Sequence, residues 1–422
     1  VTPVRRKPSL DFSVTGLVYC SMMMFMGLAA INSQANLLFG VFGLMIGVLL
    51  VSGSVSKLVL RKLAIERVLP ETASVGQATT LTYHFTNNKR LWPSLSISLG
   101  ELDGTEAFTS QPFCYMLHTA PAMAASVPIE VMPKRRGLHT LDRYQISTSF
   151  PFGFIKRAVI NRKKDSLLVY PAVAQVDPKL LTLCRSADKS GAMIRPRQGG
   201  NDEFYGLKEF RQGQNPRHIY WKRSAKTGVL VSKEMTQVSP PRLMLLVDTY
   251  VPDRTVESHA AVERAIAMAA SLASHGLEAG LLVGAVVWDN GWIKVAPGRG
   301  KRQRRDLLAL FGRLPLNTTQ NTLALLAAAQ DQLDTDASPV LLSPQELAMS
   351  MGGQLRTGML ALSSTAHSGT HWFRFDREVN FEHSMPPDQE PPTGRAARTK
   401  APAPPAPKKP QPPKKRSAGA TV

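Results

Sequence analysis

The densest collection of charged and ring-bearing side chains in the 422-residue sequence lies between Gly199 and Glu234. Asp202, Glu203, Glu209, Arg211, Arg217, His218, Lys222, Arg223 and Lys226 alternate there with Phe204, Tyr205, Phe210, Tyr220 and Trp221. Turn signals at Gly199-Gly200 and at Gly213-Gln214-Asn215-Pro216 cut the stretch into short pieces. A solvated charge run has no use for five rings, and a core strand does not tolerate so many ions. The mixture suits a contact surface, on which rings supply area and arginine forks engage carboxylates. It suits an internal clamp between two domains equally well. Asp202, Arg211, Arg217, Trp221 and Lys222 are the residues expected to carry either role, with Trp221 buried in both.

Bond-breaking chemistry finds less support. Cys114 and Cys184 are the candidate thiols, and His118, His218, His259 and His275 the candidate bases. No Gly-x-Ser-x-Gly elbow or His-Glu-x-x-His pair accompanies them. Gly298-Arg299-Gly300-Lys301 has no second glycine at the spacing of a phosphate-cradling loop, and Arg302 stands where its Ser/Thr would be, which excludes an ATPase of that type. The three cysteines, Cys20, Cys114 and Cys184, are far apart, so neither a disulfide framework nor a zinc site is expected. The chain therefore reads as a non-enzyme without a cofactor. The alternative is an envelope-associated hydrolase or transferase using Cys184 or the Asp202/Glu203 carboxylates.

These residues need a scaffold, and the chain supplies one in four parts. Residues 1–62 hold two uncharged runs, Val14–Ile31 and Leu37–Val55, separated by the short polar break Asn32–Asn36. As helices, runs of this length span roughly 27–29 Å, close to the hydrocarbon core of a bilayer. Arg5, Arg6 and Lys7 precede the first run, and Lys57, Arg61 and Lys62 follow the second, while the connection carries no charge. The positive-inside rule therefore predicts a two-helix transmembrane hairpin with both ends in the cytoplasm. Gly40, Gly43 and Gly47 offer a small-residue face for close helix contact, expected within the hairpin, with dimerisation as the alternative.

Residues 63–170 change texture. Thr79–Thr86, Leu95–Leu99, Val127–Val131 and Tyr144–Ser147 alternate as strands, predicting a small β-sandwich of immunoglobulin-like type. The basic turn Lys134-Arg135-Arg136 is expected to be a solvated loop. In residues 171–385, the apolar run Leu243–Val247 is followed by a helical stripe over Val256–Leu277 and a second buried strand, Leu281–Val287. Trp292–Val295, Asp306–Leu314, Thr322–Gln332, Val340–Leu342 and Met359–Leu362 continue the alternation, which predicts a largely parallel, doubly wound α/β sheet. The run Arg299, Lys301, Arg302, Arg304, Arg305 reads as a solvated loop and helix face. Residues 386–422 are rich in Pro, Lys and Arg and are expected to be disordered. The formal net charge of +20 is accounted for by cytoplasmic loops and by this tail, which could hold anionic lipid. No specific nucleic acid is expected.

Two stretches carry a family resemblance. Glu203-Phe204-x-Gly206-Leu207-Lys208-Glu209-Phe210, followed by Gly213-x-x-x-Arg217-x-Ile219-x-Trp221-x-x-Ser224-Ala225-Lys226, resembles the signature of the domain-of-unknown-function 58 family. Arg135-Arg136-Gly137 with Phe150-Pro151-Phe152-Gly153-Phe154 is the second match. Gln214 stands where that family has an acid, and Lys226 where it has an arginine. The resemblance implies a von Willebrand factor A-like α/β domain, a bacterial inner-membrane location with the bulk of the chain cytoplasmic, and association with a MoxR-type AAA+ ATPase. Domains of that α/β type often hold Mg²⁺ through Asp-x-Ser-x-Ser, an acid and hydroxyls from one loop. Here Asp248 matches, but Tyr250 and Pro252 fill the serine positions and Thr249 is one place out of register. Asp248 is thus a weak metal candidate, expected instead to cap its loop or pair with a basic residue.

Overall fold

A computed structural model of the chain describes residues 9–186, 203–211, 216–236, 241–253, 255–333, 337–346, 359–376 and 379–383. Asp202, Gln214, the N-terminal basic triplet and the tail 386–422 lie outside them.

A short strand, β1 (Ser9–Phe12), precedes two long helices, α1 (Val14–Ser33) and α2 (Asn36–Leu60). Both helices are long and apolar enough to cross a membrane. Little of their surface is covered by the rest of the chain, unlike the core helix of a water-soluble fold. They meet where Gly27 lets the Phe42 ring approach, and the Tyr19 hydroxyl donates to the Met45 carbonyl at 3.0 Å. Gly40, Gly43 and Gly47 face open space, so the close contact is not made where their spacing suggested.

The next strands are β2 (Leu63–Val68), β3 (Ala73–Ser74), β4 (Thr79–Asn87), β5 (Ser94–Glu101), β6 (Phe113–Thr119), β7 (Ala124–Val131), β8 (Gly137–Thr148) and β9 (Ile155–Tyr170). They form two antiparallel-built sheets, ordered β1-β9-β8-β5-β6 and β2-β4-β7, with β3 paired in parallel to β9. Alternation drives this arrangement: Leu81, Tyr83 and Phe85 on β4 turn inward to meet Ile97, Leu99, Leu141, Ile146 and Val169 of the larger sheet. β1 joins the edge of that sheet beside β9, in the register Ser9↔Ala158 to Phe12↔Ile155. β1, before α1, and β2, after α2, therefore enter the two different sheets of one packed unit, so both ends of the helix pair run into that unit.

After β10 (Gln175–Val176) and α3 (Pro178–Ser186) the chain forms β11 (Glu203–Glu209), α4 (Trp221–Thr227) and β12 (Val231–Thr236). An α/β unit follows: β13 (Arg242–Val247), α5 (Val256–Glu278), β14 (Leu282–Trp288), β15 (Trp292–Gly298), α6 (Gly300–Arg313), α7 (Thr322–Leu333), β16 (Ala337–Ser343), β17 (Leu360–Ser363), α8 (His367–Thr370) and β18 (Phe373–Arg374). Its sheet runs β15-β14-β13-β16-β17, parallel throughout except for the edge strand β15. Helices cover both faces, as an unbroken apolar strand requires. Leu243, Leu245 and Val247 share a core with α5 and α6, whereas Met244 and Leu246 meet Leu325 and Ala329 of α7. The antiparallel edge arises at Asp289-Asn290-Gly291, where Asn290 takes a left-handed φ of 51° and turns β14 into β15.

Candidate functional site

Between β10 and β13 the predicted motif folds into a ribbon. β11 and β12 pair antiparallel with each other and form a sheet of their own. Phe210 donates its amide to the Leu230 carbonyl, Tyr220 donates to Val231, and Ile219 bridges Ser232. Ser224 works inside this module: its hydroxyl donates to the Tyr220 carbonyl at 3.1 Å and accepts from the Val231 amide at 2.9 Å. Gly228, at φ 72°, closes α4 by donating to the Ser224 carbonyl. The Lys233 ammonium lies 5.0 Å from the centre of the Tyr220 ring.

Around these bonds the module turns other side chains outward. Trp221 is 66% exposed at the first position of α4, which corrects the expectation that it is buried. Periodicity cannot foresee this, because seven residues of helix present no face that must be covered. Lys222 and Arg217 are exposed beside it, and Arg211 is exposed two residues beyond β11. Leu207, Val229 and Leu230 add exposed apolar surface. Arg217, Trp221 and Lys222 are thus brought together around the start of α4; Glu203 opens β11, and its neighbour Asp202 lies outside the described residues.

Asp248 follows β13 at the carboxyl end of the parallel sheet and is buried. One carboxylate oxygen accepts from the Thr322 hydroxyl at 2.6 Å and from the Ser343 hydroxyl at 3.3 Å. The other accepts from the Tyr250 amide at 2.9 Å, capping the loop as expected. Burial pushes this carboxyl above the usual carboxylate range, and the bonds from Thr322, Tyr250 and Ser343 pull it back. Thr322 and Ser343 come from the start of α7 and the end of β16, long-range partners that no local spacing reveals. Among the described residues, no group of three or more His, Cys, Asp or Glu side chains converges anywhere. One acid with two hydroxyls donating into it is a satisfied hydrogen-bond node. A hard cation here would need further oxygen ligands at the positions held by Tyr250 and Pro252.

The thiols are not poised for attack. Cys184 is buried in the core beside α5, and burial pushes its thiol up to about 11. Cys114 lies inside the two-sheet unit, pushed up to about 12, first by burial and then by Glu101. A thiol held above its ordinary value is protonated and inert near neutral pH.

The strongest electrostatic feature is one the sequence pattern hid. Arg136, expected on a solvated loop, is only 1% exposed. Its guanidinium forks onto Glu263 of α5, at 2.7 and 2.8 Å, across 127 residues of sequence. The remaining nitrogen donates to the carbonyls of Phe311, Gly312 and Leu314, where α6 ends. One side chain thus joins the two-sheet unit to two helices of the α/β unit and places a positive charge at a helix C-terminus. Glu263 was legible only as a lone acid beside the apolar positions Val262 and Ile266. A second buried cluster stays inside the two-sheet unit: Arg67 forks onto Glu101 at 2.8 and 3.0 Å and reaches Asp165 at 2.9 Å, while Tyr83 donates to Glu101.

No family model matches the chain, and no curated protein matches it. Among solved structures, the sporulation control protein Spo0M of Bacillus subtilis aligns with 11% identity and a TM-score of 0.16, over 36% of this chain and 58% of that one. At that score the likeness carries no argument about fold or function.

Proposed function

We propose that the protein is an adaptor anchored in a bacterial inner membrane, which presents the β11–α4–β12 ribbon to a MoxR-type AAA+ ATPase and performs no catalysis itself. In this reading the α1–α2 hairpin spans the bilayer with both ends cytoplasmic, the orientation favoured by Lys57, Arg61 and Lys62 after α2. The two-sheet unit is immunoglobulin-like, and the α/β unit is of the von Willebrand factor A type. The tail 386–422 adds weak affinity for anionic lipid.

The observation that carries the reading is Trp221, an exposed indole among exposed cations on the β11–α4–β12 ribbon. Exposed aromatics beside arginine are the composition of binding hot spots. The class of partner comes from the family resemblance of the motif. The buried state of Cys184 counts against the hydrolase alternative.

The test is capture of the ATPase by the full-length chain from solubilised membranes, with ATP or ADP and at low or high salt. Trp221→Ala should abolish capture without changing the melting temperature. Capture that survives this substitution under all four conditions would remove the ribbon from the interface.

A further inference from the structure

The turn between β8 and β9, Ser149–Phe154, has no role in the adaptor reading, yet it packs directly against α1. The Phe154 carbonyl accepts the Ser13 amide at 3.0 Å. Its backbone lies so near α1 that a Cβ on Gly16 would collide with it, which explains a glycine inside an otherwise bulky helix. The Phe154 ring stacks on Tyr19 with centroids 4.2 Å apart, and Phe152 stacks behind it at 5.7 Å. Gly153 permits this geometry, at φ 76°.

Tyr19 stands five residues inside the uncharged run that begins at Val14, about 8 Å along the axis at helical rise. The turn therefore runs beside the apolar part of α1 rather than below it. Its outer ring, Phe152, is 49% exposed, and Val14 and Leu17 on the helix that the turn packs against are exposed as well. The chemistry changes within one turn's width. Behind the rings, an open cleft is lined by Ser147, Thr148, Ser149, Asp11 and Lys156. Apolar rings next to hydroxyls and charges match the boundary between acyl chains and headgroups, which interfacial segments enter by about 5–10 Å.

We propose that Phe152 and Phe154 form an aromatic wedge seated in the acyl–headgroup boundary of the bilayer that the hairpin crosses. The two-sheet unit then touches lipid directly, and its tilt on the membrane is fixed by this contact as well as by the helices. The inference rests on the hairpin spanning the membrane, so the experiment separates the two.

The full chain is reconstituted in nanodiscs of phosphatidylethanolamine and phosphatidylglycerol and footprinted with hydroxyl radicals. Phe113 on β6 is the internal standard, being the same residue type at 59% exposure. Phe152 should be oxidised severalfold more slowly than Phe113; equal rates overturn the wedge. In parallel, photoreactive p-benzoylphenylalanine replaces Phe152, or Leu17 on α1, or Leu138 at the start of β8. Lipid adducts are expected at 17 and 152 and not at 138. Adducts at 17 without any at 152 overturn the wedge alone, and absence at both overturns the spanning hairpin with it. A protected Phe152 that yields a protein adduct also overturns the proposal, since a polypeptide would then cover the turn. If the Phe152 photoprobe variant does not fold, footprinting of the unaltered chain decides.

Discussion

Arg136 and Arg217 sit in two motifs of similar composition and end in opposite environments. Arg136 is sealed between the two-sheet unit and the α/β unit, with both faces of its guanidinium fork engaged. Arg217 is exposed, next to an outward Trp221, on a ribbon that forms a sheet of its own. The difference lies in what each local backbone can reach. Arg136 precedes a long strand in a two-layer core and meets α5 and the end of α6. Arg217 lies in a single turn, Pro216–His218, followed by a helix of only seven residues. Arginine is therefore buried at a junction of units in one region and solvent-exposed in the other.

The sharpest way to break this contrast is Glu263→Ala. It leaves the Arg136 charge buried without its partner and should cost about 3–5 kcal/mol, read by chemical unfolding of the detergent-solubilised chain. The double variant Arg136→Met/Glu263→Leu should recover most of that loss, because an apolar pair of similar volume avoids desolvating two ions. A small loss from Glu263→Ala would mean that the junction does not depend on the pair. Next in size is Asp248→Ala, which strands the hydroxyls of Thr322 and Ser343 and should cost about 1–3 kcal/mol. Added Mg²⁺ should not raise the melting temperature of the unaltered chain; a rise that Asp248→Ala abolishes would turn the node into a cation site.

Lys89 sharpens the comparison by pH. Its ammonium is buried against the end of α2, donating to the Val59 carbonyl at 2.7 Å and the Ser94 hydroxyl at 2.8 Å. Burial pulls it down to about 8 from its ordinary 10.5. Between those values the unfolded chain binds more protons than the folded one, so this group makes stability rise with pH from about 8 to 10.5. In pH titrations of unfolding, Lys89→Met should remove that increment. The smallest effect on stability belongs to Trp221→Ala, within about 0.5 kcal/mol, as for other exposed positions. If the melting temperature falls by several degrees instead, Trp221 packs against the fold and the ribbon is no display surface.

Periodic segments were readable in advance. The uncharged runs of α1 and α2, the apolar strand β13, the stripe of α5 and the Asp289-Asn290-Gly291 turn each follow from local rules. β9 was not, although at 16 residues it is the longest strand of the larger sheet. Lys156, Arg157, Arg162, Lys163 and Lys164 leave it with neither an apolar run nor a clean alternation. The helix α6 begins at Gly300, earlier than its apolar positions suggest, since its first turns carry Lys301, Arg302 and Arg305 outward. The motif stretch could be located but not oriented, because composition does not say which way a ring points. The Arg136–Glu263 pair was hidden for a simpler reason. A contact across 127 residues exists only once both units are folded.

β1 has a consequence for biosynthesis. It leaves the ribosome well before its partner in β9, which lies roughly 150 residues downstream. At about 5–20 residues per second, β1 waits roughly 7–30 s for that partner, while α1 and α2 emerge in between. Both helices are thus made before the sheet that flanks them exists. When β9 arrives, β1 is already held beside the start of α1, so closing the sheet edge is a search within one tethered molecule.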